Sequence, residues 1–148
     1  MTAVTALTDQ YTAGLLDTSV VIDLQRASEL MTLPDVGSVC AITLAELSYG
    51  VALAPDPLEA ARRAQRYARV RAWMHPLPFD ELAADKYGEL AALVRAHGRQ
   101  PRSRRMDLMI AAVAMSNSLP LFTLNPDDFA GLEPALTVVA PDPRLRLV

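Results

Sequence analysis

Between Gly14 and Leu24 the chain reads GLLDTSVVIDL, and this stretch decides the fold. Leu15 and Leu16 form a short apolar run that is typical of a strand, and Asp17 begins a run of residue types that favour the start of a helix. The apolar residues after it continue that helix. The pattern predicts a strand, a helix cap and a helix in direct succession.

Asp17 has two interpretations. Its carboxylate can cap the helix, because it can accept hydrogen bonds from the free N–H groups of the first turn and its charge suits the positive end of the helix dipole. The same position can also lie at the carboxyl end of a sheet strand, where open α/β folds place their ligand sites. Choosing between a structural and a functional aspartate requires the rest of the chain.

Length and composition indicate one globular domain. The chain has 148 residues, of which 51% are hydrophobic and 21% charged, and its net charge is -3. We expect a loose leader over residues 1–13 and a single domain over residues 14–148. The acidic balance means that any contact with nucleic acid must come from a local basic surface. The one cysteine, Cys40, excludes an intramolecular disulfide.

Neither a targeting signal nor a membrane span is expected. The N-terminus has no basic start and no long apolar core, and the longest apolar run, Leu108 to Met115, is too short to cross a bilayer. The sequence therefore predicts a cytoplasmic protein that makes no membrane contact.

Predicted strands and helices alternate along the chain. Beyond the first strand, apolar runs predict strands at 38–42, 120–123 and 136–139, with a short extended piece within 75–79. Helices are predicted from Thr43, Pro57, Asp80 and Met106. This alternation predicts an α/β sandwich with a central, mainly parallel sheet.

Glu46 follows the second predicted strand and also has a structural interpretation. Thr43 can cap the next helix, and Glu46 three residues later matches the spacing of a capping box. Yet, like Asp17, Glu46 is predicted just after a strand, in the first turn of a helix. That repetition favours a functional interpretation of both acids.

Asp107 lies in an apolar helix, directly after a basic loop. A carboxylate in such surroundings is unfavourable unless it caps, pairs or binds a cation. The loop before it reads RQPRSRR over residues 99–105, with four arginines in seven residues. These arginines either keep the surface soluble or contact substrate phosphates.

A polar turn follows the fourth predicted strand and contributes Asn125, Asp127 and Asp128. In a parallel sheet, this turn and the three acids collect at one edge, formed by the carboxyl ends of the strands. Clustered carboxylates repel unless a cation offsets them, and oxygen ligands without His or Cys favour Mg²⁺ or Mn²⁺. No phosphate-binding glycine loop or serine-elbow pattern is present, so metal-assisted phosphodiester hydrolysis is the leading chemistry.

Four blocks of the sequence resemble the signature blocks of PIN-domain ribonucleases, specifically the VapC-type toxins of bacterial toxin–antitoxin pairs. The blocks are LLDTSVVIDL around Asp17, ITLAELSYGV around Glu46, RRMDLMIAAVAM around Asp107, and LFTLNPDDF before Ala130. The resemblance runs from Gly14 to about Ala140, and the blocks stand in the family's order with their acids in place.

The resemblance implies a PIN-like α/β/α sandwich and an endoribonuclease that depends on Mg²⁺ or Mn²⁺. It implies that Asp17 and Asp107 bind the metal directly, and that Glu46 binds it directly or through water and orients the attacking water. Thr18 and Ser19 match the small hydroxyl residues that steady the first acid. The implied partners are an RNA substrate and a cognate VapB-type antitoxin.

One position departs from the family pattern. Many PIN domains carry a fourth acid where this chain has Asn125, so we expect Asp128 to supply the missing carboxylate as a fourth catalytic residue. The alternative is a PIN-like RNA-binding or regulatory module without turnover. The apolar faces at 51–53 and 58–74, together with the family's habit of dimerising, lead us to expect a homodimer or an antitoxin interface there.

Overall fold

The computed structural model describes residues 10–142 and residue 144, with only the backbone of Arg102 and Ser103. Its centre is a five-stranded sheet with strand order β3-β2-β1-β4-β5, in which each neighbouring pair is parallel. The strands are β1 (Ala13–Leu16), β2 (Val36–Cys40), β3 (Pro76–Leu77), β4 (Leu121–Phe122) and β5 (Val138–Val139). The predicted parallel sheet is confirmed.

Helices cover both faces of this sheet. They are α1 (Thr18–Ile22), α2 (Leu24–Leu30), α3 (Ala41–Ala52), α4 (Pro57–Trp73), α5 (Glu81–Ala96) and α6 (Arg105–Ser116), with short 3-10 turns at Pro101–Arg104 and Pro126–Phe129. No helix within residues 10–142 is both long enough and apolar enough to span a membrane.

Two apolar cores form because successive residues of a strand point to opposite faces. Leu15 and Leu121 pack into one core with residues of α5 and α6. Leu16 and Phe122, the next residues in the same two strands, pack into the other core with residues of α1 to α4. The predicted three-layer α/β/α sandwich is therefore confirmed.

The sheet begins slightly before the predicted boundary at Gly14. Ala13 is the first residue of β1, the carbonyl of Tyr11 accepts a hydrogen bond from the backbone N–H of Asp35 at 2.9 Å, and the Tyr11 ring packs edge-on against Phe122. A side chain at Gly14 would collide with the Phe122 ring. The expected leader therefore has an ordered end, and its residues 1–9 lie outside the described part.

Two long helices begin where aspartates predict. The Asp56 carboxylate caps α4 by accepting from the N–H of Glu59 at 2.9 Å, and Asp80 caps α5 by accepting from the N–H of Ala83 at 3.0 Å. Gly98, with φ of 74°, follows the end of α5, as is typical of a glycine C-cap.

The predicted capping box at Thr43 and Glu46 is wrong. Helix α3 starts immediately after β2, so Cys40 is its capping residue and makes no side-chain cap hydrogen bond. Thr43 is already inside the first turn and fully buried, and Glu46 lies one turn further along than predicted. Glu46 therefore does not act as the acid of a capping box.

Candidate active site

Asp17 both caps helix α1 and lies at the carboxyl end of strand β1. It directly follows β1, and its carboxylate accepts from the backbone N–H of Ser19 at the start of α1. The side chain is only 6% exposed. Burial raises the pKa of Asp17, hydrogen bonds from Thr123 and Ser19 oppose that shift, and the charge of Asp128 adds to it. The capping aspartate is therefore also a buried charge at the carboxyl edge of the sheet.

Glu46 is brought beside Asp17 by a hydroxyl bridge between α1 and α3. The hydroxyl of Thr18 donates to the Glu46 carboxylate at 2.7 Å, and it lies 3.1 Å from the hydroxyl of Thr43. Because the single proton of Thr18 goes to Glu46, the hydroxyl of Thr43 must donate to Thr18. Burial raises the pKa of Glu46, and the charge of Asp17 raises it further.

Asp107 lies in the first turn of α6 and has the largest resolved shift of the cluster. Burial, followed by the charges of Asp128, Asp17 and Glu46, raises its pKa to about 6, while the positive charge of Arg104 opposes this. The charges of acids from three other parts of the chain therefore act on Asp107.

Asp128 is the member of the polar turn that interacts with the other acids. Its charge raises the pKa of both Asp17 and Asp107, and its carboxylate pairs with the Arg104 guanidinium at 2.8 Å. Asp127 is exposed, and its backbone carbonyl accepts from Arg104 at 3.4 Å. The geometry therefore favours Asp128 as the fourth acid.

Asn125 is exposed at the start of the polar turn. Its backbone N–H donates to the Thr123 hydroxyl at 3.0 Å, and its side chain is exposed. It lines a cavity of about 420 Å³ together with residues that include Ser19 and Arg26. The charge from this turn that acts on Asp107 is that of Asp128.

Thr123 is a site residue that the sequence reasoning missed. It is fully buried and donates a hydrogen bond to Asp17, and its hydroxyl lies 3.5 Å from that of Ser19. The strand register places Thr123 beside Asp17, because these two residues directly follow the paired strand residues Phe122 and Leu16. Identifying it required knowledge that β1 and β4 are neighbours.

The donor atoms of this cluster suit a hard divalent cation, because carboxylate and hydroxyl oxygens are the ligands that Mg²⁺ and Mn²⁺ prefer. Over residues 10–142, no three His, Cys, Asp or Glu side chains stand close enough to form a ready metal cage. The charge of Asp128 raises the pKa values of Asp17 and Asp107, the charge of Asp17 raises those of Glu46 and Asp107, and the charge of Glu46 raises that of Asp107. Such mutual repulsion is what a bound cation would relieve.

Sequence comparison identifies the family. Residues 14–133 match the PIN domain. Ribonuclease VapC5 of Mycobacterium tuberculosis is 42% identical over 130 residues, which cover 85% of this chain and 92% of that protein. Ribonuclease VapC8 of the same species is 33% identical over 101 residues, which cover 68% of this chain and 89% of that protein.

Structural comparison agrees with the sequence match. The crystal structure of VapBC-5 from Mycobacterium tuberculosis, a member of the VapBC family of toxin–antitoxin systems, aligns with a TM-score of 0.73 at 38% sequence identity. The alignment covers 88% of this chain and 98% of that chain. This chain therefore belongs to the PIN-domain family, within its VapC group of ribonucleases.

Proposed function

We propose that this chain is a metal-dependent endoribonuclease that acts as the toxin of a toxin–antitoxin pair and inhibits growth by hydrolysing RNA phosphodiester bonds. One observation carries the proposal. Asp17, Glu46, Asp107 and Asp128 come from four separate parts of the chain, and burial together with the charges of the other three acids raises the pKa of Asp107 to about 6. The relatives named ribonuclease VapC5 and VapC8 support RNA as the substrate.

In this proposal Asp17 and Asp107 hold a Mg²⁺ or Mn²⁺ ion directly. Glu46 orients the attacking water or an ion-bound water, and Asp128 completes the negative site. When bound, such an ion lowers the pKa of a water and stabilises charge that develops on the scissile phosphate. The raised pKa of Asp107 matters here, because its carboxylate must be deprotonated to act as a ligand.

Hydroxyl groups keep the carboxylates in position. Thr18 holds Glu46 through a 2.7 Å hydrogen bond, and Thr123 and Ser19 hold Asp17. The backbone N–H of Leu124 donates to the Ser19 hydroxyl at 3.0 Å, so the loop after β4 is tied to α1. Hydrogen bonds of this kind orient metal-binding carboxylates and tune their affinity.

The direct test is to incubate the purified protein with total RNA in the presence of Mg²⁺ or Mn²⁺, and in parallel with a chelator. We expect discrete cuts that the chelator abolishes. RNA that is bound but left intact under both conditions would instead support the alternative function, a PIN-like RNA-binding or regulatory module without turnover.

The proposed partners are a VapB-type antitoxin and a second copy of this chain. Leu53 and Leu58, at the turn between α3 and α4, are 59% and 65% exposed, whereas Val70 of α4 is buried in the core. The predicted apolar face is therefore only partly used inside the domain. The VapBC-5 neighbour, titled as a toxin–antitoxin system, supports an antitoxin as one occupant.

Light scattering of the purified protein, alone and with the product of the neighbouring reading frame, tests both partners. We expect a dimer alone and a larger complex after the second protein is added. A monomer that the neighbouring gene product leaves unchanged would contradict this part of the proposal.

A further inference from the structure

Arg104 reaches directly into the acid cluster. It ends the 3-10 turn Pro101–Arg104, three residues before Asp107, and its guanidinium pairs with the Asp128 carboxylate at 2.8 Å. The same nitrogen lies 3.4 Å from the backbone carbonyl of Asp127. Arg104 therefore binds an oxygen of Asp128, the carboxylate whose charge acts on Asp17 and Asp107.

The charge of Arg104 also acts on Asp107, outside the ion pair with Asp128. It favours the ionised form of Asp107, whereas the charges of Asp128, Asp17 and Glu46 disfavour it. Arg104 therefore pairs with Asp128 and also acts on Asp107, which is one of the two proposed metal ligands. A divalent cation and this guanidinium must therefore compete for the same negative charge.

The ion pair between Arg104 and Asp128 can be broken without leaving a buried charge. Its side chain keeps 30% of its surface exposed, and that of Asp128 keeps 42%, so water can replace either partner. A partly exposed ion pair contributes little stability on its own. A guanidinium can also bind two phosphate oxygens in parallel, which makes phosphate a natural second partner.

We propose that Arg104 competes with the divalent cation for Asp128, and that once displaced from this carboxylate it contacts the scissile or neighbouring phosphate of the RNA. Arg104 is then a substrate-positioning residue whose charge is held at the site before RNA arrives. This inference rests on the proposed function, because it assumes that the acid cluster binds the cation and that RNA is the substrate.

The chain provides a matched control in Arg99. Its guanidinium belongs to the same basic loop and also contacts the turn of Asp128, but it donates to the backbone carbonyl of Asp127 at 3.2 Å. Arg99 therefore shares the location and the charge of Arg104 without pairing with a carboxylate of the cluster. Replacing the two arginines separately isolates the effect of the ion pair.

The experiment measures Mn²⁺ binding by calorimetry, without RNA, for the wild type, Arg104→Gln and Arg99→Gln. We expect Arg104→Gln to bind Mn²⁺ about fivefold more tightly, since a competing cation has been removed, and this gain to shrink at high salt. Arg99→Gln should bind within about twofold of the wild type. At saturating Mn²⁺, RNA cleavage by Arg104→Gln should fall by about tenfold or more.

A side-chain measurement keeps the proposal testable if Arg104→Gln does not fold. Mg²⁺ is titrated into the wild type while the arginine Nε–H resonances are followed by NMR. The Arg104 resonance should shift as the ion binds, and that of Arg99 should stay close to its starting position.

Opposite changes in metal affinity and turnover distinguish this role from a structural one, because a variant that merely distorts the site loses both. The proposed competition would be overturned if a folded Arg104→Gln variant bound Mn²⁺ as weakly as the wild type or more weakly. It would also be overturned if the Arg104 resonance did not shift when Mg²⁺ was added. Full cleavage by that variant would overturn the phosphate contact. A wild type that neither binds Mn²⁺ nor cuts RNA would instead refute the proposed function.

Discussion

Two pairs of aspartates lie at helix starts and differ in their surroundings. Asp56 and Asp80 precede α4 and α5, and each accepts a hydrogen bond from the N–H three residues later. Asp17 and Asp107 also lie at helix starts, but Asp17 is buried and both have raised pKa values because of burial and neighbouring acids. Asp56 and Asp80 are exposed to solvent.

The comparison teaches that an aspartate at a helix start has two distinct uses. An exposed cap satisfies a free N–H group and keeps its hydration, so it stabilises the helix locally. A buried aspartate among other carboxylates is unfavourable for the isolated protein, and this arrangement is typical of functional sites.

Removing the charge of either site aspartate should abolish catalysis. We expect Asp17→Asn and Asp107→Asn each to lower RNA cleavage by about a thousandfold or more, because each loses a proposed metal ligand. Asp80→Asn, the matched change at an exposed cap, should cleave at the wild-type rate. Initial rates of cleavage of a labelled RNA check this, with circular dichroism to establish folding. Robust cleavage by a folded Asp107→Asn variant would contradict the proposed difference between site aspartates and capping aspartates.

Removing the hydroxyl that positions a carboxylate should have an intermediate effect. Thr18→Val keeps the shape of the side chain but loses the 2.7 Å hydrogen bond to Glu46. We expect cleavage to fall by about tenfold to a hundredfold, together with weaker Mn²⁺ binding. Thr18→Ser, which keeps the hydroxyl, should restore most of both. If valine and serine behave alike, the bridge has no role in orienting Glu46.

Removing an exposed cap should affect stability and leave chemistry unchanged. Asp80→Ala should lower the free energy of unfolding by about 1 kcal/mol, because the N–H of Ala83 loses its partner. Urea denaturation measures this change, and cleavage rates corrected for the folded fraction should match the wild type. A loss of cleavage in the folded variant would show that the two pairs of aspartates are not functionally separate.

The smallest effect should appear in the pH dependence of stability. The pKa of Asp107 rises from 3.8 to about 6 on folding, so the folded protein keeps a proton that the unfolded chain releases. Stability from this group is therefore full below about pH 4 and is lost as the pH rises through about 6. Without metal, Asp107→Asn should be more stable than the wild type by about 1 kcal/mol near pH 8, given screening of a partly exposed carboxylate.

Denaturation of both proteins in chelator across this pH range provides the measurement. Near pH 4 the two proteins should have similar stability, because Asp107 is then largely protonated in the folded state. A constant difference at all pH values would assign the effect to packing instead of charge.

Much of the site could be predicted because its signals are local. An apolar run followed by capping residues predicts the end of β1 at Leu16, and parallel strands bring their carboxyl ends to one edge. Asp17, Glu46 and Asp107 were placed there by that argument. The error in the helix turn of Glu46 arose because the apolar run 38–42 does not reveal that β2 ends at Cys40 and that α3 begins at the next residue.

Other features depend on contacts that no local pattern encodes. The choice among Asn125, Asp127 and Asp128 depends on the 3-10 turn Pro126–Phe129, which directs the charge of Asp128 toward Asp107. The ion pair of Arg104 with Asp128 joins residues 24 positions apart. Only the packing of the loop before α6 against that turn brings these two side chains together.

The most direct test of the central claim is anomalous diffraction from crystals of the active protein grown with Mn²⁺. The account predicts a manganese peak at the carboxyl edge of the sheet, with oxygens of both Asp17 and Asp107 at about 2.1 Å. A well-ordered ion bound elsewhere, with these two carboxylates making no contact to it or to its bound waters, would contradict the account.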